Sequence, residues 1–69
     1  MKPAELLRRI NRFATRHGLP IEVSEGGNHT KVRLNGLGTV IPRHAHDMKT
    51  GTFRGILKQI GLSPNDLED

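Results

Sequence analysis

No cysteine occurs in the 69 residues, which excludes a disulfide framework and any thiolate metal site. Tryptophan and tyrosine are missing too, and phenylalanine occurs only twice. An aromatic platform for stacking nucleobases is therefore nearly excluded. A nucleic acid would have to be held mostly through phosphate and sugar. No run approaches the roughly 18 consecutive apolar residues of a membrane span. Met1-Lys2-Pro3-Ala4-Glu5 also lacks the apolar stretch of a secretory leader. The expectation is a cytoplasmic chain with no membrane partner. Acidic residues are the scarcer charge, 7 against 11 Lys plus Arg, for a net charge of +4. Such a balance favours a polyanionic partner, a nucleic acid or an acidic protein. The length predicts one domain spanning residues 1–69, with a thin core.

The stretch Gly26 to Pro42 organises what is present. Asn35-Gly36 lies between two alternating runs, the pattern of a two-residue hairpin turn with φ > 0 at both centres. Along the run before it, Thr30, Val32 and Leu34 fall on one face and His29, Lys31 and Arg33 on the other. A two-residue loop pairs Leu34 with Leu37, Val32 with Thr39 and Thr30 with Ile41, leaving Val40 beside Lys31. A bulge at Gly36 or Gly38 would turn Val40 inward instead. The sequence leaves both registers open.

On the N-terminal side, Pro3 to about His17 reads as an amphipathic helix. Its apolar stripe is Leu6, Leu7, Ile10, Phe13 and Ala14, and Gly18 is its stop. Glu5 and Arg9 form a favourable i,i+4 pair, whereas Arg8, Arg12 and Arg16 make a cationic ridge. Leu19 to Ser24 reads as a short strand with Ile21 and Val23 inward, kept to an edge by Pro20. On the C-terminal side, Thr50 reads as the N-cap of a second helix with the stripe Phe53, Ile56, Leu57 and Ile60. Gly55 in its interior costs about 1 kcal/mol against alanine, which predicts close packing against another backbone. Gly61 ends this helix, and Ser63-Pro64-Asn65-Asp66 resembles a further helix start. The order predicts a two-layer α+β domain, α-β-β-β-α. Both helices cover one face of a three-stranded antiparallel sheet and leave the other open. Leu6, Ile10, Phe13, Val32, Phe53, Leu57 and Ile60 are expected to share the core.

Two constellations can carry chemistry. His29 stands in line with Lys31 and Arg33 on the open face. An imidazole exchanges protons near neutral pH and can take one from a ribose 2′-OH. The two cations can hold the adjacent phosphate and stabilise charge developing on it. An ordinary surface histidine remains the alternative. The second constellation is Lys49-Thr50-Gly51-Thr52 with Arg54 and Lys58. Free N–H groups at a helix start together with cations attract anions; a plain basic helix is the alternative. His44, His46 and Asp47 have no fourth spaced ligand, so no metal is expected there. His17 suits the C-terminal end of the first helix dipole.

Three segments together resemble the HicA family of bacterial toxins: Gly26-Gly27-Asn28-His29, Thr39-Val40-Ile41-Pro42-Arg43-His44, and Gly51-Thr52-Phe53-Arg54-Gly55-Ile56-Leu57-Lys58-Gln59-Ile60-Gly61-Leu62. The last is the most specific. The resemblance covers nearly the whole chain and is weakest in the first helix and the tail. It implies a small mRNA interferase with a double-stranded-RNA-binding-domain-like fold, neutralised by a HicB-type antitoxin. It also matches the family's functional histidine to His29. Asn28 stands where the family commonly has serine. The resulting expectation is a metal-independent endoribonuclease without cofactors. His29 would transfer protons, Lys31, Arg33, Arg43, Lys49, Arg54 and Lys58 would hold RNA, and an antitoxin would occlude the site. The alternatives are a non-catalytic RNA-binding module of the same fold and a basic adaptor for an acidic protein.

Overall fold

The apolar stripe of the first helix closes where the sequence stops it. In the computed structural model, which describes residues 1–43 and 46–68, α1 runs Pro3–His17 and ends at Gly18, whose φ of 63° is left-handed. The Leu19 amide reaches back to the Ala14 carbonyl at 2.9 Å. Leu19 therefore belongs to the helix cap, and β1 begins later than expected, at Ile21–Glu25. β2 (His29–Leu34) and β3 (Leu37–Pro42) follow. The three strands form one antiparallel sheet in the order β1-β2-β3.

Asn35 and Gly36 both have positive φ, 50° and 88°. That is the two-residue turn whose twist matches the flanking strands. The register follows from it: Leu34 faces Leu37, Val32 faces Thr39, Lys31 faces Val40 and Thr30 faces Ile41. No bulge intervenes, and Val40 is 45% exposed on the open side. Burial along β2 alternates strictly, with Thr30, Val32 and Leu34 inside and His29, Lys31 and Arg33 outside. Val23 pairs with Val32 and so shares its face, yet it is 42% exposed rather than inward. The helices lie closest to β3 and leave the edge strand β1 less covered.

α2 spans Thr50–Gln59. Thr50 is its first helical residue and not its cap. The Lys49 carbonyl accepts the first intrahelical bond from Phe53 at 3.0 Å, and Lys49 caps without a side-chain bond. Both helices bury their stripes in a single core of Leu6, Ile10, Ala14, Val32, Leu34, Ile41, Ile56, Leu57 and Ile60, joined by Met48 and Leu67. Phe13 and Phe53 pack against its margin, half-buried. The close backbone approach expected at Gly55 is absent: a Cβ there would meet nothing within 4 Å.

Polar groups at the layer boundary are paired. The buried Thr39 hydroxyl donates to Gln59 Oε1 at 2.6 Å, fixing the end of α2 to β3. The C-terminal segment forms a 3-10 turn, Pro64–Leu67, opened by reciprocal bonding between Ser63 and Asp66. It is held from outside as well, because Leu67 is buried against α1 and its carbonyl accepts from Arg9 Nη1 at 3.5 Å. At the other end, the Met48 amide donates to the Met1 carbonyl at 3.0 Å, and the Met1 ammonium lies 3.6 Å from Asp47. Among the described residues no helix is long and apolar enough to cross a membrane.

Candidate active site and nucleic-acid interface

Directly paired residues of an antiparallel sheet share a face. The register therefore fixes the open surface. Glu22 and Ser24 come from β1, His29, Lys31 and Arg33 from β2, and Gly38, Val40 and Pro42 from β3. Lys31 lies between Ser24 and Val40, and Arg33 between Glu22 and Gly38. Successive members of the central row are two residues apart, a step of roughly 7 Å along a strand. The row is thus one imidazole followed by two cations on an uncovered surface, with Glu22 its one acidic flank among the described residues.

The backbone around His29 is tied down on both sides. The β1–β2 connection closes when the Gly26 amide donates to the His29 carbonyl at 2.8 Å. A Cβ at Gly26 would come within 3.2 Å of that oxygen, so the glycine allows the turn to close this tightly. The Asn28 carbonyl accepts from the Arg43 amide at 3.0 Å. The Arg43 side chain is engaged at the same place. Its Nε lies 2.9 Å from Glu25 Oε2, and its Nη1 donates to the Gly26 carbonyl at 2.6 Å. The Thr30 hydroxyl donates to the other Glu25 oxygen at 3.3 Å.

The remaining expected residues divide by layer. Lys49, Arg54 and Lys58 are exposed on α2 and just before it, in the helical layer. The sheet separates that layer from the open face bearing Lys31 and Arg33. Arg54 and Lys58 sit one helical turn apart on the surface of α2. The structure thus aligns His29, Lys31 and Arg33 on the open face and places Lys49, Arg54 and Lys58 in the helical layer; the Arg43 side chain does not join the row but lies with Glu25 and Thr30 beside Pro3, Ala4 and Leu7 of α1. Of the metal alternative, His44 lies outside the described residues, His46 is exposed, and Asp47 faces the N-terminal ammonium. No group of three potential ligands occurs among the described residues.

Sequence reasoning missed Glu25. Its one available signal was an acid just before a glycine pair, and its partnership with Arg43 depends on the registers of both hairpins at once.

No solved structure matches the chain. An Escherichia coli protein named "Probable mRNA interferase toxin HicA" is 46% identical over 44 residues, which are 62% of this chain and 76% of that protein. A Pseudomonas fluorescens protein named "Probable mRNA interferase HicA" is 40% identical over 54 residues, 77% of this chain and 88% of that one. The family model described as "HicA toxin of bacterial toxin-antitoxin" matches residues 7–62, a span that holds α2 and the whole open face of the sheet. The chain belongs to the HicA family of toxins from bacterial toxin–antitoxin systems.

Proposed function

We propose that the chain is an endoribonuclease that cuts mRNA without a metal ion, with His29 as the proton-transfer group. One observation carries this reading: His29 opens β2 on the uncovered face of the sheet, in line with Lys31 and Arg33. The names of its relatives, mRNA interferases, support the substrate class.

The chemistry follows from that row. A phosphate held by Lys31 and Arg33 brings its ribose beside the imidazole. Neutral His29 takes the proton of the 2′-OH, and the oxygen attacks the neighbouring phosphorus. The bond to the 5′-oxygen breaks, leaving a 2′,3′-cyclic phosphate on the upstream fragment. Solvent, admitted by the open face, protonates the departing 5′-oxygen. The two cations stabilise the extra negative charge on the phosphoryl oxygens as it develops. Arg54, Lys58 and the start of α2 at Lys49 hold RNA backbone beyond the cut.

A nuclease of this kind endangers the cell that makes it, so a HicB-type antitoxin is its partner. It acts by covering His29 and the cationic row with acidic or inserted side chains.

The test is cleavage of RNA by the purified chain in EDTA, with and without His29→Ala. Loss of one positioned proton-transfer group slows cleavage by roughly 10²–10⁴-fold. Because His29 is exposed, its removal leaves melting and RNA affinity nearly unchanged. Rapid cleavage by the His29→Ala protein would overturn the assignment. Inhibition by EDTA that added metal reverses would move the chemistry to His44, His46 and Asp47. Binding without cleavage by the parent protein would leave only an RNA-binding module.

A further inference from the structure

The guanidinium of Arg43 makes two contacts at once. It meets the Glu25 carboxylate at the end of β1 and the Gly26 carbonyl in the turn that follows. Its own amide holds the Asn28 carbonyl. Between those two carbonyls the chain makes the tight turn that delivers His29, whose carbonyl the Gly26 amide holds in its turn. Each of these bonds is anchored within four residues of His29, and none involves the imidazole itself. They leave the ring free and restrict the backbone from which it projects.

A cation that served only to grip RNA would gain nothing from a carboxylate at 2.9 Å, because the acid competes with phosphate for the same donors. Lys31 and Arg33, by contrast, pair with no carboxylate among the described residues and stand exposed on the open face. The turn has little else to hold it. It consists of two glycines and an asparagine, all exposed, so no apolar contact orders it. A planar fork that can reach a carboxylate and a carbonyl together is suited to this task, and a lysine ammonium is not.

We infer that Arg43 is a positioning residue for His29, with Glu25 as its counter-ion, and that the pair acts on the cleavage step and not on RNA capture. This rests on the reading of His29 as the proton-transfer group. The Glu25–Arg43 pair is largely exposed, so it adds little to global stability. Its effect is local: it keeps the imidazole within the narrow range of positions in which proton transfer is fast.

The experiment compares Arg43→Gln, Arg43→Lys and Glu25→Gln with the parent protein, reading kcat and KM for RNA cleavage, the salt dependence of RNA binding, and hydrogen exchange at the Gly26 amide. A positioning role lowers kcat by roughly 10–100-fold in Arg43→Gln, a loss typical of a slightly misplaced reacting group. KM and the salt dependence stay put, and the Gly26 amide exchanges faster. Arg43→Lys fails to restore kcat although it keeps the charge. Glu25→Gln decides most sharply. If Arg43 positions His29, removing its counter-ion lowers kcat; if Arg43 grips RNA, removing a competing acid tightens binding. Tighter RNA binding by Glu25→Gln, or a raised KM with an unchanged kcat in Arg43→Gln, would overturn the inference. So would an unchanged Gly26 exchange rate in Arg43→Gln, even with His29 confirmed as essential. Cleavage by His29→Ala would instead bring down the catalytic reading, and the exchange measurement tells the two failures apart.

Discussion

Glu5 shows how far a single residue's environment can be read. Its i,i+4 pairing with Arg9 follows from spacing on a helix, and the contact is present at 3.0 Å. The second partner, Arg8, belongs by the same periodicity to the cationic ridge, yet it turns toward Glu5 as well. Hydrogen bonds from Arg8 and then Arg9 lower the Glu5 pKa from 4.5 to about 2. The stabilisation is therefore fully present above the unfolded value and is lost as pH falls through the folded one. Acid titration of melting temperature should show a decline between about pH 4.5 and 2 that Glu5→Gln removes. A parent and variant with parallel acid limbs would show that solvent screens the pair completely. Glu25 and Arg43 illustrate the opposite case. Each is visible as a charge, but they are 18 positions apart and meet only because one strand pairing stacks upon another.

At the scale of the element, local signals worked where the physics is local. The extent of α1, the Asn35-Gly36 turn and the strict alternation of β2 follow from periodicity and backbone preference alone. The errors fell where a boundary depends on a hydrogen bond that the sequence does not display. Thr50 has a good capping side chain, but the carbonyl of Lys49 starts α2. Leu19 is apolar enough for a strand, but its amide closes α1. The 3-10 turn at Pro64–Leu67 is too short to stand alone, and burial of Leu67 supports it. Gly55 gives a clean test. With open space around it, Gly55→Ala should fit without strain and stabilise the protein by about 0.5–1 kcal/mol, measured by denaturant unfolding. A destabilised variant would mean that a neighbouring group approaches Gly55 more closely than the 4 Å of open space around it. If the variant is more stable but binds RNA more weakly, Gly55 leaves room for the backbone of a ligand.

The whole molecule places two cationic groups on two layers, the row on β2 and the group around α2. Both would contribute to holding a polyanion, and the two-layer order read from the sequence, helices on one face and His29, Lys31 and Arg33 on the other, already sets the sheet between them. If RNA is held through its backbone, the logarithm of affinity should fall with the logarithm of salt concentration by about 0.7 for each phosphate contact on a single strand. Reversing the charge of Arg54 or Lys58 should weaken binding to all sequences alike and flatten that slope. Affinity indifferent to salt would argue against backbone contacts as the main source of binding. The alternation along β2 has a further consequence for how such a protein can change over generations. Its even-numbered residues answer to the core and its odd-numbered ones to whatever lies outside, with hardly a side chain serving both. Natural variation at the even positions is filtered by whether the chain folds. If the open face is where the chain meets RNA and an antitoxin, as proposed, variation at the odd positions is filtered by whether the toxin still acts and whether its antidote still fits. On that reading a toxin and its antidote can drift together into a private pairing, exchanging surface residues one for one, without the fold ever registering the change.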